Sequence, residues 1–486
     1  MKNSYKSRSV RMLGAVAAIL PLLLTAACNQ TADVPVSQST SALLLSQPTS
    51  TARPSATKTP STQAALTGKL DNSFDVDGRT TTDVGSTNDE ARDVVVQPDG
   101  KIVVMGETWT GPYNRPRFAL TRYKPNGKLD QSFGDGGMII ENISGSEYDT
   151  GNPCALLLQP DGKLLIAGTT LDPVLHQWVF ALLRYNADGT LDAKFGDRGK
   201  TLTPIDQKQY SQSEDEIHSI ALAPDGKIVA AGITGRYPHN FAATRYNKDG
   251  SLDETFGNEG RVITAFPSDA NARAVAVQPD GKVVVAGYAS LEGGKEHQDY
   301  TMVRYNIDGS LDEAFGDQGI VMTDFANKQD WAYSMVLRPD GKIVLAGPVE
   351  IDARLCGAYI CSVFGYGFAQ YNTDGSLDDD FGDSGTISYK YGGSDGNYDL
   401  LRLPDGKLLA AGHVSNNDFG LALLNEDGTP VKSFGTKGWA TASFGPYTDR
   451  ANAIAMQPDG KIVAVGSGVV DKKDILNDDF AIARFK

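Results

Sequence analysis

Five stretches of the chain, KIVVMG, KLLIAG, KIVAAG, KVVVAG and KIVLAG, are apolar at every position between a turn lysine and a glycine. A strand that is apolar on both faces is covered on both faces. A two-layer sandwich would leave one face polar. Each sheet here has to lie between two neighbours, as a slice lies in a ring. The helical period of 3.6 is absent from the repeated region, so the pattern predicts an all-β protein.

The runs belong to a unit copied seven times from Leu66 onward. PDGK begins at Pro98, Pro160, Pro224, Pro279, Pro339, Pro404 and Pro458. In it, Pro presets φ, Asp accepts backbone N–H bonds and Gly takes the left-handed position, which predicts a type I turn with a glycine bulge between antiparallel strands. LDxxFG begins at Leu70, Leu129, Leu191, Leu252, Leu311 and Leu377, with LDNSFD as the first copy and a degenerate PVKSFG at Pro430. Its phenylalanines lie 53 to 66 residues apart. The third landmark is a segment ending in Arg-Tyr, as in FALTRY, FALLRY, FAATRY and YTMVRY, with weaker copies YGFAQY, FGLALL and FAIARF. One unit reads as a meander of strand a (ANAIAMQ), b (KIVAVG), c (FAIARF) and d (GSLDETF). Four strands in about 60 residues make a propeller blade.

The two ends argue for closure. The repeats begin in mid-unit with GKLDNSF, read as a strand d, and end in mid-unit with strands a, b and c. Joined, they complete a seventh blade and remove two unpaired edges. An open solenoid would need atypical capping repeats, and none is present. The landmarks over residues 66–486 resemble the delta-60 repeat family of bacterial surface proteins, and the hairpins are similar to those of NHL propellers. The resemblance implies a β-propeller and an exported location. It implies no reaction and carries over no functional residue. The chain departs from the motif at Asp75, Gln370, Leu423 and PVKSFG.

Residues 1–27 read as a signal peptide, with Lys2, Lys6, Arg8 and Arg11 ahead of an apolar run from Met12 to Leu24 that is short for a membrane span. LTAAC resembles a bacterial lipobox, with Thr25 where such motifs usually carry Leu, and implies diacylglycerol attachment at Cys28. The alternative is ordinary cleavage after Ala27. A single acyl chain holds a protein only marginally, whereas two chains suffice to keep it at a membrane. Residues 28–66 are rich in Ser, Thr and Pro, a composition that buries no core and predicts a disordered tether, spanning on the order of 35 Å. The expected domains are thus 1–27, 28–66 and a propeller over 67–486. Gly, at 52 of 486 residues, exceeds the usual ~7% and serves the turns. The formal charge of −15 argues against nucleic acid as a partner.

Candidate chemistry is sparse. Alignment on PDG places Asp89, Asp215, Asp330, Asp395 and Asp449 at one position, just before strand a, with Asp149 and Asp269 offset. Five carboxylates at the start of the innermost strand would ring the channel mouth and take a hard cation such as Ca²⁺. The other reading is a turn-capping Asp in each blade. NxDGSLD lacks the first and last ligands of an EF-hand loop and reads as a hairpin turn. The strand c arginines and the Asp of SLD read as structural partners. Function in a repeated ring belongs where the repetition breaks, and three such residues are Asp93, Asp399 and Arg402. The link PVEIDARLCGAYICSVFGYG is long, and Cys356 and Cys361 are expected to pair in it, leaving Cys154 as a buried free thiol. HExxH, CxxC, a GxSxG elbow at a strand-to-helix turn and a strand-borne GxGxxG are all absent.

Two functions follow. The first is a lipid-anchored, monomeric propeller that binds a protein or glycan, or serves as a scaffold, in the bacterial envelope or outside the cell. The second is a channel-mouth enzyme, such as a Ca²⁺-dependent hydrolase or lactonase. A purely structural envelope component would show no concave site, and a quinoprotein dehydrogenase would need a vicinal cysteine pair that the chain lacks.

Overall fold

The computed structural model describes residues 65–486 apart from 86–87, 111–114, 144–150, 173, 206–212, 291–297, 326, 357–358, 392–395, 415–417, 446–448 and 470–477, and apart from the side chains of 354–361. The expected signal segment, most of the tether, Cys28, Asp149 and Asp395 lie outside the described residues, as do the side chains of Cys356 and Cys361.

Among the described residues, every strand falls in one of seven four-stranded antiparallel sheets. Six sheets take their strands in chain order, as in the first blade: Asp89–Val96 (strand a), Ile102–Thr110 (b), Arg115–Tyr123 (c) and Met138–Glu141 (d). The later blades begin at Gly151, Glu216, Ala270, Ser334, Gly396 and Arg450. In the seventh, Arg450–Met456, Ile462–Gly468 and Asp479–Phe485 receive their fourth strand, Arg79–Thr82, from the other end of the chain. Arg79 lies opposite Ala483 and Thr82 opposite Phe480. Upstream, Leu70 bridges Phe485, and the Thr67 N–H donates to the Lys486 carbonyl at 2.8 Å. The expected closure is therefore the one observed, and the protein is a seven-bladed β-propeller.

Strand a of each blade meets strand a of both neighbours all the way round, so these strands line the channel. The core is not central. It is divided into seven apolar clusters, one at each junction between blades. Val103 and Val104 show why strand b is apolar throughout. Val104 packs in the cluster shared with the seventh blade and Val103 in the cluster shared with the second, and neither is exposed. Burial of each such side chain contributes about 1.5–3 kcal/mol.

The PDGK turns form as read. The Gln97 N–H donates to the Lys101 carbonyl at 2.8 Å, the Lys101 N–H to Asp99 Oδ1 at 3.1 Å, and Gly100 sits at φ +83°. One expectation is corrected. SLDxxF is a turn rather than strand d, held to strand c by its Leu, as in the Tyr246–Leu252 bridge, and by its Asp, whose N–H donates to the Arg245 carbonyl at 2.8 Å. The Asp coils it: the Thr255 N–H and hydroxyl both donate to Asp253 Oδ1, and the Phe256 N–H donates to the Asp253 carbonyl at 3.0 Å. Strand d is the short segment that follows, such as Arg261–Thr264.

Candidate functional site

Strand a runs from one end of the channel to the PDGK turn at the other. The two ends carry different chemistry. At the turn end the three landmarks meet. Arg122 Nε donates to Asp130 Oδ2 at 2.9 Å, its guanidinium lies 4.5 Å from the Phe133 ring centroid, and its Nη1 reaches the Ala187 carbonyl of the next blade at 2.5 Å. Lys282 of the fourth PDGK turn joins such a cluster, 2.8 Å from Asp312. The same cluster recurs around Arg184, Arg245, Arg304 and Arg484. These are the structural partners expected, and they tie five of the blades to the next.

At the other end strand a carries a bulge in six of the seven blades. In the first blade Ala91 faces Gly106 and Asp93 faces Met105, leaving Arg92 as the extra residue. The facing strand b position must be glycine: a Cβ on Gly232 would stand 1.9 Å from the Glu216 carbonyl oxygen. A bulge re-aims its residue. The six extra residues are Arg92, Cys154, His218, Arg273, Tyr398 and Asn452, and in the fifth blade the equivalent position, just ahead of Ser334–Leu337, is Tyr333, whose N–H donates to the Ala346 carbonyl at 2.9 Å. Here the ring does not repeat itself. The signal was present in the sequence as a variable residue between two that are mostly small, but nothing marked it as facing the channel.

These residues and their neighbours form one continuous lining. Through the fourth to sixth blades it is aromatic, and the seventh adds Arg450. The Arg450 guanidinium lies 5.6 Å from the Tyr398 centroid, Tyr398 stacks on His413 at 5.6 Å and 20°, and Tyr333 lies 5.7 Å from Tyr398. Arg273 lies 5.5 Å from the Tyr333 centroid and 5.9 Å from that of Tyr288. Trp331 approaches Tyr288 at 6.1 Å and stacks on Phe364 at 4.9 Å and 24°. Phe364 belongs to the long link of the fifth blade, which is a paired hairpin of Ile343–Cys356 and Tyr359–Tyr371. All these rings are half-buried. Across the channel the lining is charged. Arg92 stands 3.0 Å from Glu90 and 3.2 Å from Glu107, and Asn452 Nδ2 donates to Glu90 Oε1 at 3.0 Å. His218 Nδ1 lies 2.8 Å from the Ala272 carbonyl and its Nε2 3.6 Å from Glu216. Burial lowers the His218 pKa, so the neutral ring donates from Nδ1.

The residues singled out from the sequence fall elsewhere. Asp89, Asp215, Asp330 and Asp449 lie at four different junctions, fully buried. Each accepts the N–H of the loop that enters its blade, from Val84, Ile205, Phe325 and Phe444 at 2.6–2.7 Å. The structure does not gather them around one ion. Two of them stand in separate acidic groups instead, Asp83–Asp89–Asp479 and Asp299–Asp324–Asp330. Burial, with the charges of Asp299 and Asp324, pushes Asp330 up to about 8, and burial beside Asp418 pushes Asp449 up to about 6. Asp93 and Asp399 follow the bulge and bond across the junction. The Leu156 N–H donates to Asp93 at 2.7 Å and the Ile454 N–H to Asp399 at 2.9 Å. Arg402 ends its strand at the turn end, 4.0 Å from Glu426. Cys154 is a free thiol whose pKa burial raises, and it is partly rather than fully covered.

Five segments, residues 97–133, 159–195, 223–256, 278–315 and 403–434, match the family described as "Domain of unknown function (DUF5122) beta-propeller". No curated protein matches the chain. Among solved structures it is similar to virginiamycin B lyase from Staphylococcus aureus, at 9% identity over 83% of this chain and 98% of that one, with a TM-score of 0.42. It is similar to an alpha-L-arabinanase from Penicillium chrysogenum, at 11% identity over 84% of this chain and 98% of that one, with a TM-score of 0.42. It is also similar to the β-propeller domain of the Trilobed protease from Pyrococcus furiosus, at 11% identity over 82% and 94% of the two chains, TM-score 0.42.

Proposed function

We propose that the chain is an exported, lipid-anchored β-propeller of the cell envelope that acts as a binding module, and that its ligand docks at the channel mouth on the aromatic lining of the fourth to sixth blades. The observation that carries this reading is the convergence of the non-repeating bulge residues on one end of the channel. Half-buried rings offer flat apolar faces, and the Arg273 and Arg450 guanidiniums offer forked donors beside them. That pairing suits a saccharide, whose C–H faces stack on rings while its hydroxyl groups take hydrogen bonds. Residues 1–27 export the chain in this reading, Cys28 carries the lipid, and the Ser/Thr/Pro-rich segment tethers the ring.

The test is a titration of the full chain in detergent with envelope-type oligosaccharides, followed by Trp331 fluorescence. Saturable quenching that Tyr333→Ala or Tyr398→Ala weakens at least tenfold supports the reading. Equal affinity in those variants refutes it. The lipid anchor is tested separately by detergent-phase partition, which Cys28→Ala should abolish. The His218–Glu216 pair favours a second reading, a hydrolase acting at the same mouth. Turnover lost in His218→Gln with binding retained would select it.

A further inference from the structure

We propose that the junction between the fourth and fifth blades binds a hard divalent cation, Ca²⁺ by its chemistry, through Asp299, Asp324 and Asp330. One oxygen from each carboxylate lies within 4.8 Å of the other two. That is no further apart than two ligands on opposite sides of a Ca²⁺ ion, whose bonds to oxygen run about 2.4 Å. Asp299 opens strand c, Asp324 follows strand d, and Asp330 leads into strand a of the next blade.

The bond that closes the entering loop uses only the third of these acids. At the junction of the second and third blades the corresponding residues are Val179, Pro204 and Asp215, and the loop closes there by the same bond, Ile205 N–H to Asp215 Oδ2 at 2.7 Å. The two junctions differ in what serves the other oxygen. Asp215 Oδ1 accepts the Ser213 and Thr234 hydroxyls, both at 2.6 Å. The residue paired with Asp330 is Val349, which has no hydroxyl. Asp330 Oδ1 is fully buried and has no hydrogen-bond partner among the described residues. Where neutral donors stand at one junction, two further carboxylates stand at the other. A buried anion beside two more anions is strongly disfavoured, and either a proton or a cation has to neutralise the set. A hard cation with flexible coordination accepts this set directly.

Among the described residues the arrangement recurs once. Asp479, Asp83 and Asp89 occupy the same three positions between the seventh and first blades, with oxygens again within 4.8 Å. In both places the strand a acid donates its own N–H at 2.7 Å to the carbonyl of the residue before the strand c acid, Gln298 or Asp478.

Trp331, next to Asp330, provides the readout. The full chain is stripped with chelator and titrated with Tb³⁺ under tryptophan excitation, then with Ca²⁺. The expected result is sensitised Tb³⁺ emission that saturates and that Ca²⁺ displaces. Asp299→Asn/Asp324→Asn should lose it at least tenfold, while Asp83→Asn/Asp479→Asn should retain it. Both variants keep the loop-closing bond to Asp330 or Asp89. Ca²⁺ alone, at a hundredfold excess over its Kd, should raise the wild-type melting temperature by about 3–5 °C. No displaceable emission, emission equal in Asp299→Asn/Asp324→Asn, or a melting temperature indifferent to Ca²⁺ would each overturn the proposal.

Discussion

The two ends of the ring are built by opposite rules. At the turn end, Lys, Arg, Asp and Phe meet in the same way in five of the seven blades. At the mouth, one structural position holds Arg, Cys, His, Arg, Tyr, Tyr and Asn. The exceptions at the turn end show what the repetition is for. In the seventh blade Gln457 accepts from Arg484 at 3.1 Å. In the fifth the two residue types have changed places, and Arg338 donates to Gln370 at 2.9 Å. In the sixth they are Leu403 and Leu423, both buried, and Val431 stands where the Asp would be. The cluster changes as a set while the junction stays filled, which is the behaviour of packing. At the mouth each residue varies by itself, which is the behaviour of a surface adapted to something else.

Acid gives the largest effect and separates the two ends. Burial alone would raise the carboxyls of Asp71, Asp130, Asp192, Asp253, Asp312 and Asp378. Their neighbouring lysines, arginines, hydroxyls and amides outweigh it and hold all six below the ordinary value. The unfolded chain therefore binds protons more readily, and the stabilisation, complete above about pH 4, is lost as pH falls below it. The ring should unfold cooperatively near pH 3 or below, followed by near-ultraviolet circular dichroism. A ring as stable at pH 2 as at pH 6 would deny the clusters their role.

A single deletion comes next. Asp253→Ala leaves Arg245 buried without its carboxylate and should cost about 3–5 kcal/mol. Copying the sixth blade with Ala223→Leu, Arg245→Leu and Asp253→Val removes the buried Arg–Asp pair together and leaves the partly exposed Lys227 to solvent, and the loss should fall below about 2 kcal/mol. Thermal melts of the two proteins decide this. If the triple variant is the less stable, the clusters do more than fill and satisfy the junction.

The same residue type makes the contrast sharper at the mouth. Arg273→Ala removes a half-buried guanidinium that stands within 4 Å of no carboxylate among the described residues, so its cost should stay near 1 kcal/mol or less. Arg245→Ala should cost several times more. Ligand affinity should respond in reverse, with Arg273→Ala the damaging change.

The ring was legible because its causes are local and repeated. Doubly apolar runs require neighbours on both faces, and a chain that starts and stops in mid-unit requires closure. SLDxxF was misread as strand because Leu and Phe alternate with polar residues there, while the deciding contact, the Asp side chain on its own following N–H groups, leaves no periodic trace. The mouth was not legible for a different reason. Asp93 and Asp399 break the repeat, but they sit one residue past the bulge and bond to the next blade. Tyr333, Tyr398 and Arg273 break it too, yet their meeting depends on ring geometry that no single segment encodes.

The smallest effect runs the other way. Ala223 occupies the place of Gln457, and a cavity of about 190 Å³ opens beside it, lined by Arg245, Pro279 and Ile307. In the seventh blade the glutamine fills that space and donates from Nε2 to the Gly100 carbonyl of the next turn at 3.1 Å. Ala223→Gln supplies the same group facing Gly281 and Arg245. One added hydrogen bond and the filled space should contribute about 0.5–1 kcal/mol, a rise of about 1–2 °C in melting temperature. The mouth has no counterpart to this repair, because no other blade carries a residue from which to copy. If Ala223→Gln lowers the melting temperature instead, the junctions are individually fitted, and the turn end obeys the rule of the mouth.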